Sequence, residues 1–324
     1  MTPTTEVTIR PFEERDYVAA LELNRRVYPD YERSLESWRR DDETRRKDLH
    51  HARFVAEQGG RIVGMAETGH SEGMYHPRRF GLDLMVDPDC QSRGIGRALY
   101  ARILENLAPF DPLSIRSGAR EDYTKLVQFF RSRGYQEIMR AWESRLDVPA
   151  FDFAPWGDWE APLREHGVEI RTLRELMAED PEHRRKLYEL DEACSADVPH
   201  PEPRTPISFE RFEQHIFESP DLIPEAFLVA VAGGEYVALS TLWKGKDDRD
   251  IHNGLTGTRR EWRRKGIALA LKLRNVRWAQ QHGVPTIKTW NESNNRAMLG
   301  INERMGFVKQ PAWITFSLHL KDEG

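Results

Sequence analysis

Much of this 324-residue chain is written twice. Val7-Thr8-Ile9-Arg10 returns as Val168-Glu169-Ile170-Arg171. Phe54-Val55-Ala56, followed by Gly59-Gly60 and Val63, returns as Leu228-Val229-Ala230 with Gly233-Gly234 and Val237. Gly94 and Gly266 lie 172 residues apart, Gly134 and Gly306 are again 172 apart, and Trp142 and Trp313 are 171 apart. A steady late offset with a looser early match reads as a tandem duplication, with an insertion near the start of the second copy. The expected boundaries are 1–147 for the first domain, 148–167 for a linker and 168–324 for the second domain. The linker's Phe151, Phe153, Trp156 and Trp159 are expected to pack on a domain surface. Hydrophobic spacing and turn signals give each copy the order β-α-α-β-β-β-α-β-α-β-β.

Within each copy one stretch carries chemistry. Leu82 to Val86 reads as a strand, Asp87 to Gly96 as a turn, and the residues that follow as a helix with Ile95, Leu99, Ile103 and Leu107 on one face. Gly94 and Gly96 let the backbone approach a ligand closely, and the free amides of a helix start attract phosphate. The second copy has the same strand, turn and helix around Arg263, Gly266 and Ala268. Each turn is therefore a candidate pyrophosphate cradle.

Composition narrows the alternatives. The chain is 39% hydrophobic and 31% charged, and its apolar runs are too short to span a membrane. The opening MTPTTEVTIRPF lacks the zones of a signal peptide, so a cytoplasmic location is expected. Cys90 and Cys194 make no disulfide framework and lack metal-ligand spacing. A net charge of −5 argues against a general nucleic-acid binder. Of the local basic clusters, Arg131 to Arg133 reads as a solvated helix face, and Arg259 to Lys265 is placed to meet phosphate.

Gln91-x-x-Gly94-x-Gly96 and Arg263-x-x-Gly266-x-Ala268 resemble the acyl-CoA loop of the GNAT superfamily of N-acyltransferases. The segment from Asn295 to Phe307, RAMLGINERMGF after its leading asparagine, resembles that family's late strand-then-helix motif. Paired domains of this kind occur in mycothiol synthase and in other bacterial tandem acetyltransferases. The resemblance implies an α/β (α+β) fold of two tandem GNAT-like domains, each a mixed, mostly antiparallel sheet with helices on both faces. It implies acetyl-CoA as the acyl donor. In the first copy Met85 and Val86 would serve the pantetheine arm, and Gln91, Ser92, Arg93, Gly94, Ile95, Gly96 and Arg97 the pyrophosphate. In the second copy Gly257 and Thr258 take the strand role, and Arg263, Arg264, Lys265, Gly266, Ile267 and Ala268 the cradle. Asn291 and Asn295 would bond the arm's amides, or cap a helix.

The family's usual proton-donating tyrosine falls at Phe130 in the first copy and at Asn302 in the second. Phenylalanine cannot donate a proton, and asparagine hydrogen-bonds without being an acid. For the base that strips an ammonium proton, Asp83 interrupts an apolar strand in the first copy. It reads either as that base or as a strand-face acid paired with Arg78 or Arg79. His76 and Tyr75 lie just before it. In the second copy His252 is the candidate, with Asp250 and Glu292 as rivals. The proline-rich residues 199–206 are expected to border the second copy's substrate cleft. The expected activity is acetyl transfer to the amine of a small molecule, with the second copy slightly favoured. The rivals are a CoA-binding scaffold without turnover and a protein N-acetyltransferase. No metal is called for, and the chain is expected to be a monomer or homodimer.

Overall fold

The computed structural model describes residues 6–31, 33–245 and 249–321. The first copy runs β1 (Val7–Pro11), α1 (Tyr17–Val27), α2 (Leu35–Thr44), β2 (His51–Gln58), β3 (Arg61–Gly69), β4 (Arg79–Val86), α3 (Ile95–Leu107), β5 (Ser114–Arg120), α4 (Thr124–Arg131) and β6 (Gln136–Asp147). Then come α5 (Ala161–Glu165), β7 (Val168–Thr172), α6 (Leu173–Glu179), α7 (His183–Ser195), α8 (Phe209–Ile216), β8 (Leu222–Ala232), β9 (Glu235–Lys244) and β10 (Asp250–Thr258). The chain ends with α9 (Ile267–Gln281), β11 (Thr286–Glu292), α10 (Arg296–Arg304), β12 (Val308–Lys309) and β13 (Trp313–His319). The insertion in the second copy is visible as one helix more between its first two strands. There α6 opens on a capping box, in which Thr172 and Glu175 satisfy each other's backbone amides. The first copy ends in one continuous strand where two were expected. In the second copy Pro311, which lacks an amide proton, falls between β12 and β13. Among the described residues no helix is long and apolar enough to cross a membrane.

The chain divides into two compact units, and they depart from the linear boundaries. One unit holds the residues up to Arg140, Pro201–Thr205, and those from Trp313 onward; the other holds Ala141–His200 and Pro206–Ala312. The two copies have traded their last strands. In the first unit β13 pairs antiparallel with β5, Ile314 opposite Ala119. In the second, β6 pairs antiparallel with β11, Leu146 opposite Ile287. Ile314 and Phe316 are buried in the first unit's core, and Leu146 and Val148 in the second's. The stretch 148–167 belongs to the second unit. Its Phe151, Phe153, Trp156 and Trp159 pack against that core, and Gln280 Nε2 donates to the carbonyls of Val148 and Phe151, each at 2.9 Å.

In the first unit the sheet is antiparallel from β1 through β4, parallel between β4 and β5, and antiparallel again to β13. Strand alternation loads both faces. One face carries Phe54, Ala56, Leu82 and Leu84 against Ile95, Leu99, Ile103 and Leu107 of α3. The other carries Val55, Ile62 and Met65 against Tyr17, Leu21 and Trp38 of α1 and α2. Each such fully buried side chain is worth about 1.5–3 kcal/mol. The second unit repeats this plan, with α6, α7 and α8 on one face and α5 and α9 on the other.

What positions a site is the parallel pair. β4 and β5 pair from Arg79 opposite Ser114 to Leu82 opposite Ser117, and no further. Meanwhile β3 follows β4 out to Gly64 opposite Val86. Past Leu82 the sheet therefore forks, and Asp83 to Val86 keep one backbone edge without a strand partner. In the second unit β10 and β11 pair only from Asp250 opposite Thr286 to His252 opposite Lys288, and the β9–β10 register shifts between Asn253 and Thr256.

Candidate active site

Both turns are built alike. Ser92 and Arg264 take a left-handed conformation, φ 63° and 62°, and two residues later Gly94 and Gly266 do the same at 87° and 76°. Only a residue without a side chain adopts that geometry at no steric cost, so the glycines are structural requirements. The first helical bonds run from Ala98 N to Gly94 O and from Ala270 N to Gly266 O, both 3.0 Å. The amides of Ile95, Gly96 and Arg97, and of Ile267, Ala268 and Leu269, thus have no partner within their helix. Such a nest of amides at a helix start suits a pyrophosphate.

The first residue of each motif braces the loop. Gln91 Nε2 donates to Val86 O at 3.2 Å, and Arg263 Nε donates to Thr258 O at 3.0 Å. Each loop is also tied to the end of a helix, with the charges swapped. In the first unit Arg26 after α1's apolar run meets Asp87 and Asp89, at 2.9 and 2.6 Å. In the second, Asp197 beyond α7 meets Arg260 and Arg263. Arg93 and Arg264 are exposed, and Lys265 Nζ sits 4.4 Å above the Trp262 ring.

In the first unit fork and loop open into one cleft of about 710 Å³. Leu84, Met85 and Val86 form its strand wall, Gln91, Ser92, Gly94, Gly96 and Arg97 its loop end, and Tyr123, Phe129 and Arg133 its far wall. This is a typical size for a cofactor site. An unpaired strand edge leading to an amide nest fits a ligand with an amide-bearing arm and a pyrophosphate.

Asp83 stands just past the fork. It is opposite Glu67 on β3, so the two carboxylates share a face. Glu67 is fully engaged, with Arg53 Nε at 2.7 Å and His51 Nε2 at 2.7 Å, and Arg53 also binds Asp42 at 2.8 Å. Asp83 has no hydrogen bond or ion pair among the described residues. Of the neighbouring arginines, Arg78 is bound to Asp111 at 2.5 Å instead. The side chain is exposed yet crowded by protein, and the cleft lining begins at the next residue, Leu84. That crowding, with the charge of Glu67, pushes it up to about 6 against the pull of Arg33 and Arg116. Tyr75 and His76 do not line the cleft; His76 Nδ1 accepts from Arg78 N.

Two phenols at the cleft were not singled out from the sequence. Tyr28 and Tyr123 line it with ring centroids 5.5 Å apart. Burial, Asp83 and Tyr123 raise the Tyr28 phenol above its ordinary range, so it keeps its proton. Phe130, at the family's tyrosine position, is a core residue packed on Tyr135 and Phe316. A polar residue where the fork closes would have been the signal to look beyond that position.

The second unit uses its equivalents differently. Asn302 is buried and its Nδ2 donates to Asn291 Oδ1 at 2.6 Å, while its own Oδ1 is buried without a hydrogen-bond partner among the described residues. Asn295 caps α10 through Met298 N at 3.3 Å. Glu292 is spent on its own turn, accepting from Ser293 and Asn294. His252 is half-buried at the fork with its ring 6.2 Å from Trp290. The Asp250 side chain lies outside the described part of the structure. Burial pushes the Cys194 thiol up to about 12, so it is no thiolate nucleophile. Instead it packs on Gly257, where an added Cβ would lie 2.5 Å from Cys194 Cβ and 2.8 Å from its sulfur. Gly257→Ala should therefore destabilise the protein by about 1–3 kcal/mol as α7 is forced off β10. An unchanged urea midpoint would show that α7 yields freely.

Comparison with known proteins agrees with this geometry. The family model described as "Acetyltransferase (GNAT) domain" matches residues 50–137, and "Acetyltransferase (GNAT) family" matches residues 178–307. Over 273 residues the chain is 28% identical to mycothiol acetyltransferase of Thermobifida fusca, covering 80% of this chain and 79% of that one. Among solved structures, a tandem GNAT protein from the clavulanic acid biosynthesis pathway superposes with a TM-score of 0.75 at 18% identity, covering 98% of this chain and 100% of that one. A GCN5-related N-acetyltransferase from Sphaerobacter thermophilus does so with a TM-score of 0.69 at 18% identity, covering 98% and 96%. With a family match in each copy and the forked sheet and glycine loop present twice, the chain belongs to the GNAT acetyltransferases, in their tandem two-domain arrangement.

Proposed function

We propose that this protein transfers an acetyl group from acetyl-CoA to the amine of a small molecule, and that the transfer takes place in the first unit. The carrying observation is the unpartnered Asp83 carboxyl at the fork of the sheet, next in the chain to Leu84, which begins the wall of a cleft that ends in an amide nest. Acetyl-CoA, when bound, supplies a thioester carbonyl open to attack by nitrogen and a sulfur leaving group. The amides at the start of α3 hold its pyrophosphate, and the free edge of β4 at Leu84 to Val86 aligns its arm. Asp83 takes a proton from the acceptor's ammonium, freeing the nitrogen lone pair for attack. Tyr28 or Tyr123 returns a proton to the departing sulfur, the task that Phe130 cannot perform.

The late motif of the second copy, which favours that copy on sequence alone, supports its fold more than its chemistry. Asn302 and Asn291 bond to each other, and Asn295 caps a helix. The mycothiol acetyltransferase relative points to a small-molecule acceptor here also.

The reading is tested by calorimetric titration of acetyl-CoA into the wild type, Gly94→Glu and Gly266→Glu. A glutamate at either loop repels phosphate and fills the nest. Gly94→Glu is expected to abolish the binding that supports turnover on an amine panel. If only Gly266→Glu stops turnover, the second unit is the active one. Binding without thiol release on any amine would favour a CoA-binding scaffold.

A further inference from the structure

Pro201–Thr205 comes from the second sequence copy but is part of the first unit. Of residues 199–206, expected at the second copy's cleft, 201–205 group with the first unit. Thr205 N donates to Gly73 O at 2.8 Å, and Tyr75 N donates to Thr205 Oγ1 at 2.9 Å. The prolines keep this strap extended. It delivers one charged group inward: Glu202 Oε2 accepts from Arg116 Nη1 at 2.6 Å, and both side chains are nearly buried, 12% and 15% exposed.

Arg116 is on β5 opposite Gly81, and Asp83 is two residues further along β4. Alternation puts both side chains on the same face, as diagonal neighbours across the parallel pair. A guanidinium spans such a gap. Glu202 is the charged partner that Arg116 has among the described residues; its other contact is a weak one to Met74 Sδ at 3.8 Å, and Asp83 has no partner of its own.

We propose that Glu202 is a positioning residue: it holds Arg116 away from Asp83, so that the carboxyl stays unpaired and available to the acceptor's amine. This rests on the reading of Asp83 as the base. The strap is thus a wall of the acceptor site, built from a part of the sequence that the repeat assigns elsewhere. The remaining charges facing Asp83 are already committed or constant. On β3 and β2, Glu67 is bound to Arg53 and His51, with Arg45 of the α2 end at 3.5 Å. On β5 Arg120 is bound to Asp122 at 2.7 Å, and Arg33 is paired with Asp41. Tyr28, whose phenol is held protonated by burial, and Tyr123 complete the surroundings.

The test is the titration of the Asp83 carboxyl in the full chain by carbon NMR, assigned by the signal missing from Asp83→Asn. In Glu202→Gln, Arg116 is released towards Asp83, and the Asp83 titration should fall by about one unit or more. In Arg116→Met the same ion pair is lost but no cation is freed, so the titration should hold or rise. Glu202→Asp should stay near wild type, and the double variant Arg116→Met/Glu202→Gln should match Arg116→Met. A titration that falls in Glu202→Gln and does not fall in Arg116→Met supports the proposal. One that does not fall in Glu202→Gln, or that falls in both, overturns it, because a merely structural strap responds alike to either loss. If Glu202→Gln does not fold, Glu202→Ala takes its place, and an Asp83 titration that falls decides for the proposal and an unmoved one against it. Failure of the base reading is seen separately, as an Asp83→Asn enzyme that still turns over.

Discussion

Asp83→Asn should lower kcat/KM for acetyl transfer by about 10²–10⁴-fold while leaving acetyl-CoA affinity near wild type. Asparagine keeps the shape of the side chain but cannot take a proton. The wild-type rate should rise with pH through a limb near the carboxyl's raised value of about 6, and the variant should lack that limb. Stability separates this loss from damage. A carboxyl whose native pKa is raised holds its proton in the folded state after the unfolded chain has released it. Its contribution to stability is therefore greatest below the unfolded value near 4 and is lost as pH rises towards 6. Asp83→Asn should be as stable as wild type at acid pH and slightly more stable at pH 8. Water reaches this side chain, so the gain should stay below about 1 kcal/mol. Thiol release followed at pH 5 to 9, with urea midpoints at pH 4 and pH 8, measures both. Activity lost together with stability would mean that Asp83 supports the fold. Activity retained would remove it as the base.

The loops were legible in the sequence because their requirement is local. A glycine at the left-handed step before a helix, with a strand ahead of it, carries its own geometry. The unpartnered state of Asp83 was only half legible. An acid in an apolar strand is conspicuous, but whether a neighbouring arginine neutralises it depends on where Asp111 lies, and that is a tertiary matter. The traded strands were not legible at all. Alternation identifies Ala141 to Asp147 and Trp313 to His319 as strands, yet either would offer the same backbone bonds to β5 or β11. Only side-chain packing, Leu146 beside Ile287 and Ile314 beside Ala119, decides between them. The strap shows the same limit: prolines dictate an extended path and say nothing of its destination. Tyr28 and Tyr123 escaped notice because the family pattern directs attention to one helical position, and the fork brings phenols to the cleft from two other places in the chain.

The second unit hides a charge that its sequence pattern did not betray. Lys272 lies in α9, a helix buried on most sides, where a lysine reads as a solvated residue. Its side chain is instead 3% exposed, with Nζ donating to Asn253 Oδ1 at 2.5 Å and lying 5.1 Å over the Phe307 ring. No carboxylate pairs with it among the described residues. Burial pushes its ammonium down to about 7. Between pH 7 and the free value near 10.4 the unfolded chain holds a proton that the native state has released, so native stability rises with pH through that window. At or below pH 7 the penalty of the buried amine is fully felt. Lys272→Met removes it and keeps the volume. Asn253 is not orphaned, because its Oδ1 also accepts from Thr256 Oγ1 at 3.2 Å and its Nδ2 donates to Thr241 O at 2.7 Å. The shift corresponds to roughly 4–5 kcal/mol of penalty, against about 1.5–3 kcal/mol for the lost hydrogen bond to a charged group. The variant should therefore gain about 2 kcal/mol in urea unfolding at pH 7, and the gain should vanish by pH 10. A variant less stable at pH 7 would show that the amine's contacts outweigh its desolvation, and that this lysine is part of what holds α9 on β10.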